Sequence, residues 1–458
     1  MIRRRSFFKL SQLMFVSYLL STSCGKNNTP VTANDAPSIL IIGAGLAGLA
    51  AAQSLMKQGY TVRVLEARDR LGGRTWTSNY WDDAPLDMGA SWIQGTEGNP
   101  ITELAEKIAT PLVMTSYDNA ITYEVGGQPF TAKEDRIIEQ LEKKWQGAIA
   151  TAQNGDGDQS LQAVIENVFD LENQPLETKQ IIDWYMNSTI EHEYAGSLKD
   201  TSIYWFDGDG GFGGDDAIFV EGYQAIVNYL AKDISIELNQ IVESIDYSEE
   251  IPKIITNQGA YTADQVIITL PLGVLKSGQV KFIPELPSPK RKAIKALGMG
   301  ILNKCYLRFP KVFWPKKVDW IEQVPTERGL WSEWVNIFRV NQLPILLGFN
   351  AADEGKEIET WTDEEIIKSA MKTLRHLFGD DIPDPTDYQI TRWQSDSFSR
   401  GSYSFNALGS HPDMRDHLAK SLNDQIFFAG EATERDYFAT AHGAYLSGLR
   451  VAEEINNL

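Results

Sequence analysis

Three glycines, Gly43, Gly45 and Gly48, followed 18 positions later by Glu66, are the residues whose types and spacing first imply chemistry. In a strand-turn-helix unit the first glycine makes the turn. The second admits a pyrophosphate close to the backbone, and the third lets helix and strand approach. The helix N-terminus then faces the phosphates. A carboxylate at Glu66 is placed to accept hydrogen bonds from a ribose and would repel a 2′-phosphate, which disfavours NADP. Ala47 lies inside the turn, and Ala67 and Arg68 follow the acid. The triplet alone is a weak signal, and its weight depends on the elements around it.

Those elements are legible. Ser38-Ile39-Leu40-Ile41-Ile42 is an unbroken apolar run, as expected of a parallel strand buried on both faces. Residues 46–58 carry apolar side chains at helical spacing, Gly59 stops the helix, and residues 61–65 make a second strand. Further on, residues 111–187 read mainly as helices with a loop at 153–159, and residues 234–242 and 266–270 as strands. Residues 303–309 alternate with period two, which puts Cys305, Leu307 and Phe309 on one face and Lys304, Tyr306 and Arg308 on the other. Lys304 is therefore expected to leave the buried face. Residues 425–429 and 441–455 close the chain with another strand-turn-helix unit.

With 458 residues, 43% hydrophobic and 23% charged, the chain has the composition of a soluble protein of two or three domains. Its net charge of -20 argues against a nucleic-acid surface, which requires a basic patch. That charge suits a cationic substrate, although acidity also serves solubility. Residues 1–24 read as an export leader: Arg3, Arg4, Arg5 and Lys9 precede an apolar stretch too short to span a bilayer. Arg4-Arg5-Ser6-Phe7-Phe8-Lys9 is similar to the twin-arginine pattern, which would carry the protein across already folded; a general-secretion leader is the alternative. Cys24, after Ser21-Thr22-Ser23, resembles a lipoprotein cleavage site and could anchor the chain to the cell envelope. Residues 25–37 form a polar linker. Cys24 and Cys305 are the two cysteines, so no disulfide framework is expected, and five histidines without ligand spacing offer no metal site.

Glu66-Ala67-Arg68-Asp69-Arg70-Leu71-Gly72-Gly73-Arg74 and Phe428-Ala429-Gly430-Glu431 carry a more specific likeness. Together with the glycine turn they resemble the flavin amine oxidases, a family of monoamine oxidases, polyamine oxidases, lysine-specific histone demethylases and L-amino-acid oxidases. The resemblance runs from about Ser38 to Asn456, and the polyamine oxidase and histone demethylase branch fits best. It implies an α/β protein in which a discontinuous Rossmann-type FAD-binding domain (38–110, 211–290 and 386–458) receives an inserted α+β substrate-binding domain (111–210 and 291–385). It also implies FAD contacts at Gly43, Gly45, Ala47, Gly48, Glu66, Ala67, Arg68, Gly73, Arg74, Ala90, Ser91, Val242, Trp393, Gly430, Glu431, Thr440 and Ala441.

Within that likeness Lys304 matches the lysine that holds a water at flavin N5, and Trp393 a tryptophan packed beside the isoalloxazine. Tyr403 matches one aromatic wall before the flavin, while Thr440 stands where monoamine oxidases carry the second. The resemblance thus points toward long, polyamine-like substrates. Ser402 replaces the cysteine that bonds the flavin in monoamine oxidases, so noncovalent FAD is expected. Glu191 and Glu193, with the aspartates of residues 200–216, match an acidic region near the amine tunnel. Gln94 occupies a position where polyamine oxidases often have Glu or His, a departure that weakens the polyamine assignment.

The reaction this implies is hydride transfer from the α-carbon of a neutral amine to flavin N5. The imine is then hydrolysed to an aldehyde, and dioxygen becomes hydrogen peroxide. Two other readings stand beside it: an L-amino-acid oxidase, which would aim an arginine at the substrate carboxylate, and a flavin-bearing envelope protein that binds without turnover. The sequence carries no indication of oligomeric state.

Overall fold

Strand β1 (Ser38–Ile42), helix α1 (Leu46–Lys57) and strand β2 (Thr61–Leu65) form the expected opening unit. The computed structural model describes residues 38–155 and 157–458, and the leader, Cys24 and linker expected over 1–37 lie outside them. β1 is the middle strand of a five-stranded parallel sheet in the order Ile426–Phe428, Gln265–Ile268, β1, β2, Ser235–Glu237. Its lack of alternation has a direct cause. Ile39 and Ile41 pack with α1 and the C-terminal helix Ala441–Asn456, whereas Leu40 and Ile42 join Val242, Ile245 and Ile254 of a second, four-stranded sheet. Burial on both faces requires apolar side chains at every position.

A six-stranded sheet covers the far side of the molecule, in the order Asp387–Ile390, Leu302–Arg308, Ile345–Ala351, Glu333–Asn336, Trp320–Gln323, Ala120–Tyr123. It takes in Asp387–Ile390, which the sequence division grouped with the nucleotide-binding pieces. One face packs on helix Asp363–Phe378 through Cys305, Leu307, Ile321, Trp334 and Leu346. The other carries Lys304, Tyr306, Leu347, Phe349, Val335 and Trp320, all buried.

The period-two reading of residues 303–309 is correct, but the exposure drawn from it is not, because Lys304 is only 5% exposed. A sheet sandwiched between two layers has no solvent face, so alternation separates two buried environments here. Helices Ala132–Gln153, Leu161–Phe169 and Leu176–Met186 match the helical reading of the middle region. Strands Leu112–Thr115 and Ala120–Tyr123 do not, since their partners Asp216–Phe219 and Trp320–Gln323 are distant in sequence. Short strands of this kind depend on neighbours that local pattern does not contain.

After Met186 the helix widens into a π turn, Asn187–Glu191, before the last turn His192–Tyr194 ends at Ala195 with φ 56°. A π turn accommodates an extra residue and re-aims the side chains that follow it. Those side chains are His192 and Glu193.

Candidate active site

The opening unit builds one end of a cavity of about 540 Å³ that runs between the two large sheets. Gly43 has φ +108°, and a Cβ on Gly48 would lie 2.0 Å from the Gly43 carbonyl oxygen, so neither position admits a side chain. Gly45 differs: a Cβ there meets only the Gly72 oxygen, at 3.8 Å, and the residue lines the cavity. No side chain caps the first turn of α1, which leaves its N–H groups available to an anion. Glu66 lines the same end, 5% exposed, its oxygens accepting from Ala44 N at 2.8 Å and Arg68 N at 2.9 Å. A carboxylate retains lone pairs for a ribose after two such bonds. Open glycine backbone, an uncapped helix start and this acid fit an adenine dinucleotide.

Arg68 and Arg74 also line the cavity, yet each guanidinium has a protein partner. Arg68 grips Asp396 through two bonds of 2.8 and 2.7 Å, and Arg74 donates to Glu431 at 2.8 Å and to the Ser402 carbonyl at 3.0 Å. The two pairs tie residues 66–74 to segments more than 300 positions away. They hold the separated nucleotide-binding pieces in register.

Glu431 is buried and also accepts from Ser404 Oγ at 2.6 Å. Burial pushes its carboxyl up, but Arg74, the Ser404 hydroxyl and Arg415 outweigh it, and the pKa settles below the ordinary glutamate value. A carboxyl depressed in the fold stabilises above its unfolded pKa, and that contribution is lost as pH falls through the folded value. Glu431→Gln is accordingly expected to cost about 3–5 kcal/mol at neutral pH, the penalty for breaking a buried pair. The difference from wild type should shrink in acid, as read by urea unfolding from pH 7 to about pH 3. A constant difference across that range would contradict this assignment.

Ala47, Ala67, Gly73, Ala90, Ser91, Val242, Gly430, Thr440 and Ala441 all line the cavity, so every expected FAD contact except Gly48 borders it; Gly48 packs instead between α1 and β1. Thr440 caps the C-terminal helix, its Oγ1 accepting from Gly443 N at 2.9 Å and donating to the Tyr437 oxygen at 2.7 Å. That helix start therefore faces the cavity, a favourable place for negative charge. Trp393 is buried, donates to the Met88 oxygen at 3.3 Å and stands edge-on to Trp76.

Among the described residues, Lys304 is the one lysine lining the cavity. Its Nζ donates to Asp87 O at 2.7 Å, Gly89 O at 2.6 Å and Ser91 Oγ at 2.5 Å, matching the three N–H bonds of an ammonium. Burial pulls its pKa down, opposed by the Asp87 carboxylate, while burial pushes Asp87 up. Lys304 thus fastens the strand Leu302–Arg308 to the loop carrying Ala90 and Ser91.

Beyond Lys304 the cavity becomes aromatic and acidic. Tyr403 lines it and donates to the His192 carbonyl at 2.9 Å, and Gln94 and Glu193 line it as expected. Glu191 does not. It is 1% exposed and turned away, accepting from Arg328 at 3.0 Å, Asn187 Nδ2 at 2.9 Å and Leu198 N at 3.1 Å. The π turn places neighbouring acids on different sides, which linear spacing does not reveal.

The sequence reading overlooked Glu333, which together with Asp209 and Glu193 gives this chamber its carboxylates. Its signal was present: Glu333 shares the alternating face of Val335 in a strand that is otherwise apolar or amide. Glu124, Glu134 and Glu177 do bring carboxylate oxygens within 4.8 Å of one another, but none lines the cavity.

A Rossmann-type sheet, a dinucleotide cradle and a second sheet roofing an aromatic chamber define an α/β dinucleotide-binding fold. Residues 46–456 match the family model described as flavin containing amine oxidoreductase, and the chain belongs to that family. Its cofactor is FAD. It is 36% identical over 438 residues to lysine-specific histone demethylase 1 homolog 3 of Oryza sativa subsp. japonica, covering 91% of this chain and 54% of that one. It is 33% identical over 442 residues to polyamine oxidase 2 of Arabidopsis thaliana, covering 91% and 88%. The chain thus spans about half the length of the demethylase relatives. A solved double mutant of putrescine oxidase shares the fold with a TM-score of 0.74 at 18% identity, covering 92% of this chain and 99% of that one.

Proposed function

We propose that this protein oxidises a primary or secondary amine of polyamine-like character, releasing an imine that hydrolyses to an aldehyde while dioxygen is reduced to hydrogen peroxide. FAD supplies a two-electron acceptor for hydride from the carbon beside nitrogen. The observation that carries the reading is the composition of the chamber next to the cradle: Glu193, Asp209 and Glu333 line it, and among the described residues no arginine does apart from Arg68 and Arg74, both paired at the cofactor end. Such a lining attracts an ammonium. It offers no unpaired arginine to an amino-acid carboxylate, and Lys304 already directs its three N–H bonds to Asp87 O, Gly89 O and Ser91 Oγ.

In this reading Tyr403 presents a ring wall that orients the substrate, its hydroxyl fixed on the His192 carbonyl. Lys304 keeps the loop of residues 87–91 against the reacting end and places positive charge there. Surrounding rings exclude bulk water, which strengthens each electrostatic contact. The test is peroxide release across N-acetylated polyamines, spermine, aryl monoamines and L-amino acids. Turnover of polyamines supports the proposal, turnover of amino acids alone replaces it with the amino-acid oxidase, and anaerobic flavin reduction by none of them leaves a binding protein.

The proposal includes noncovalent attachment. Ser402 lines the cavity, whereas Cys305 is 2% exposed in the core beneath the six-stranded sheet and does not line it. Acid precipitation followed by filtration is expected to release all of the flavin into the filtrate; yellow pelleted protein would count against this. It also includes export of the loaded protein. Replacing Arg4 and Arg5 with lysine is expected to retain FAD-bearing protein in the cytoplasm, as judged by fractionation.

A further inference from the structure

Arg415, in helix Asp413–Ala419, is 0% exposed and does not line the cavity, yet it contacts three segments that do, 402–406, 430–432 and 438–440. Its Nη1 donates to Ser404 Oγ at 2.8 Å and, more weakly, to the Ala432 carbonyl at 3.4 Å. Nε and Nη2 both donate to Asn406 Oδ1, at 3.2 and 3.0 Å. The guanidinium carbon stands 4.0 Å over the ring of Phe438, which is 1% exposed and lines the cavity beside Ala439 and Thr440. Each of these acceptors is neutral. Burial lowers the pKa of the guanidinium to about 10, with Glu431 the largest opposing influence, so it stays charged at neutral pH. A cation buried without a direct carboxylate partner is unfavourable, and an apolar side chain of like volume would fill the space without that penalty. Packing alone does not account for an arginine here.

The bond to Ser404 has a directional consequence. A guanidinium donates and cannot accept, so it takes a lone pair of the Ser404 oxygen and leaves the hydroxyl proton for another acceptor. That acceptor is Glu431 Oε2, at 2.6 Å, which also receives Ala439 N at 3.1 Å, while Oε1 takes the bond from Arg74. Arg415 therefore fixes which way the Ser404 hydroxyl points, and its charge strengthens the bond from that hydroxyl to the carboxylate. Glu431 in turn lines the cofactor cavity. The helix that carries Arg415 is held from its other side, where Lys290 Nζ donates to Leu418 O at 2.6 Å and to Lys420 O at 2.8 Å. Its place is secured without the guanidinium.

We propose that Arg415 is a positioning residue for FAD: acting through Ser404 on Glu431, and directly on the Phe438 ring, it holds both in the arrangement that receives the cofactor. This role concerns the cofactor alone and is independent of which substrate is oxidised.

The test is release of FAD on dilution of the holoenzyme, followed by flavin fluorescence. Arg415→Met is expected to raise the FAD dissociation constant about 10- to 100-fold, the loss associated with a hydrogen bond to a charged group. Ser404→Ala removes one atom, guards against a folding artefact in the first variant and should show a loss of the same size. The double variant should lie within about 3-fold of the weaker-binding single, because partners in one relay do not add. Acid release of FAD should also begin at higher pH in Arg415→Met than in wild type. Arg74 and Arg415 are the charged groups that hold the Glu431 carboxyl down, and Asp209 and Glu434 act in turn on Arg415, so without Arg415 the carboxyl protonates sooner as pH falls. Leu418→Ala, in the same helix but buried in the core against the parallel sheet, should lower the urea midpoint and leave FAD release near the wild-type rate.

Additive losses in the double variant, wild-type FAD affinity in Arg415→Met, an unshifted acid onset, or release from Leu418→Ala as fast as from Arg415→Met would overturn the assignment. None of these measurements involves amine turnover, so the oxidase reading stands or falls separately.

Discussion

Lys304→Met is expected to slow anaerobic reduction of the flavin by amine about 10²- to 10³-fold, the usual loss when a preorganised charge-stabilising donor is removed from an active site. FAD should remain bound. Among the described residues Lys304 contributes the only lysine nitrogen in the cavity lining, and in the proposed reading it stands at the reacting end, away from the Gly43 to Gly48 turn that would hold the dinucleotide. Loss of the amine also strips a donor from Asp87 O, Gly89 O and Ser91 Oγ, but Tyr306 still donates to Asp87 O at 2.8 Å and keeps that loop tethered. Stopped-flow bleaching at saturating amine, with the flavin-to-protein ratio measured on the same sample, separates the two effects. A rate within about 3-fold of wild type would reduce Lys304 to a strut, since charge stabilisation of this kind is worth far more.

Gly48→Val is expected to yield protein without flavin. A Cβ on residue 48 would stand 2.0 Å from the Gly43 oxygen and 3.3 Å from Ile41 Cγ2, so α1 must move away from β1. That displacement carries the α1 N-terminus off the phosphate position, and overpacking of this kind adds about 1–3 kcal/mol of destabilisation. Flavin absorbance after purification and the urea midpoint both report it. Gly147→Ala is the matched control, because it lies in helix Ala132–Gln153 with no atom within 4 Å of its added Cβ. It should leave flavin content unchanged and stabilise the fold by about 0.5–1 kcal/mol. Full flavin loading in Gly48→Val would contradict the role given to helix-strand contact.

Much of the cofactor end was legible because it is built from consecutive residues. Strand, turn and helix follow one another from Ser38 to Lys57, and Gly48 is constrained by the Gly43 carbonyl five positions before it. Glu66 belongs to the same unit, so its place was implied by strand length alone. Lys304 was legible by its motif, but its burial was not. Whether one face of a strand meets solvent depends on what covers it, and here the cover comes from residues more than 200 positions away.

The substrate chamber was the least legible part. Glu191 and Glu193 are two residues apart and equally acidic, yet the π turn sends one to Arg328 and the other to the cavity. Glu333 gave only the sign of a carboxylate in an otherwise apolar strand. Its place in the cavity wall followed only once the sheet register brought it onto the face of Lys304 and the helix supplied His192.

Sequence alone thus determined a dinucleotide site, because such a ligand is recognised by backbone geometry that a short contiguous segment encodes, and the likeness carried by residues 66–74 and 428–431 narrowed it to FAD. Tertiary structure decided which carboxylates face the cavity, because that selection depends on strand register, a π turn and ion pairs between segments the chain keeps far apart.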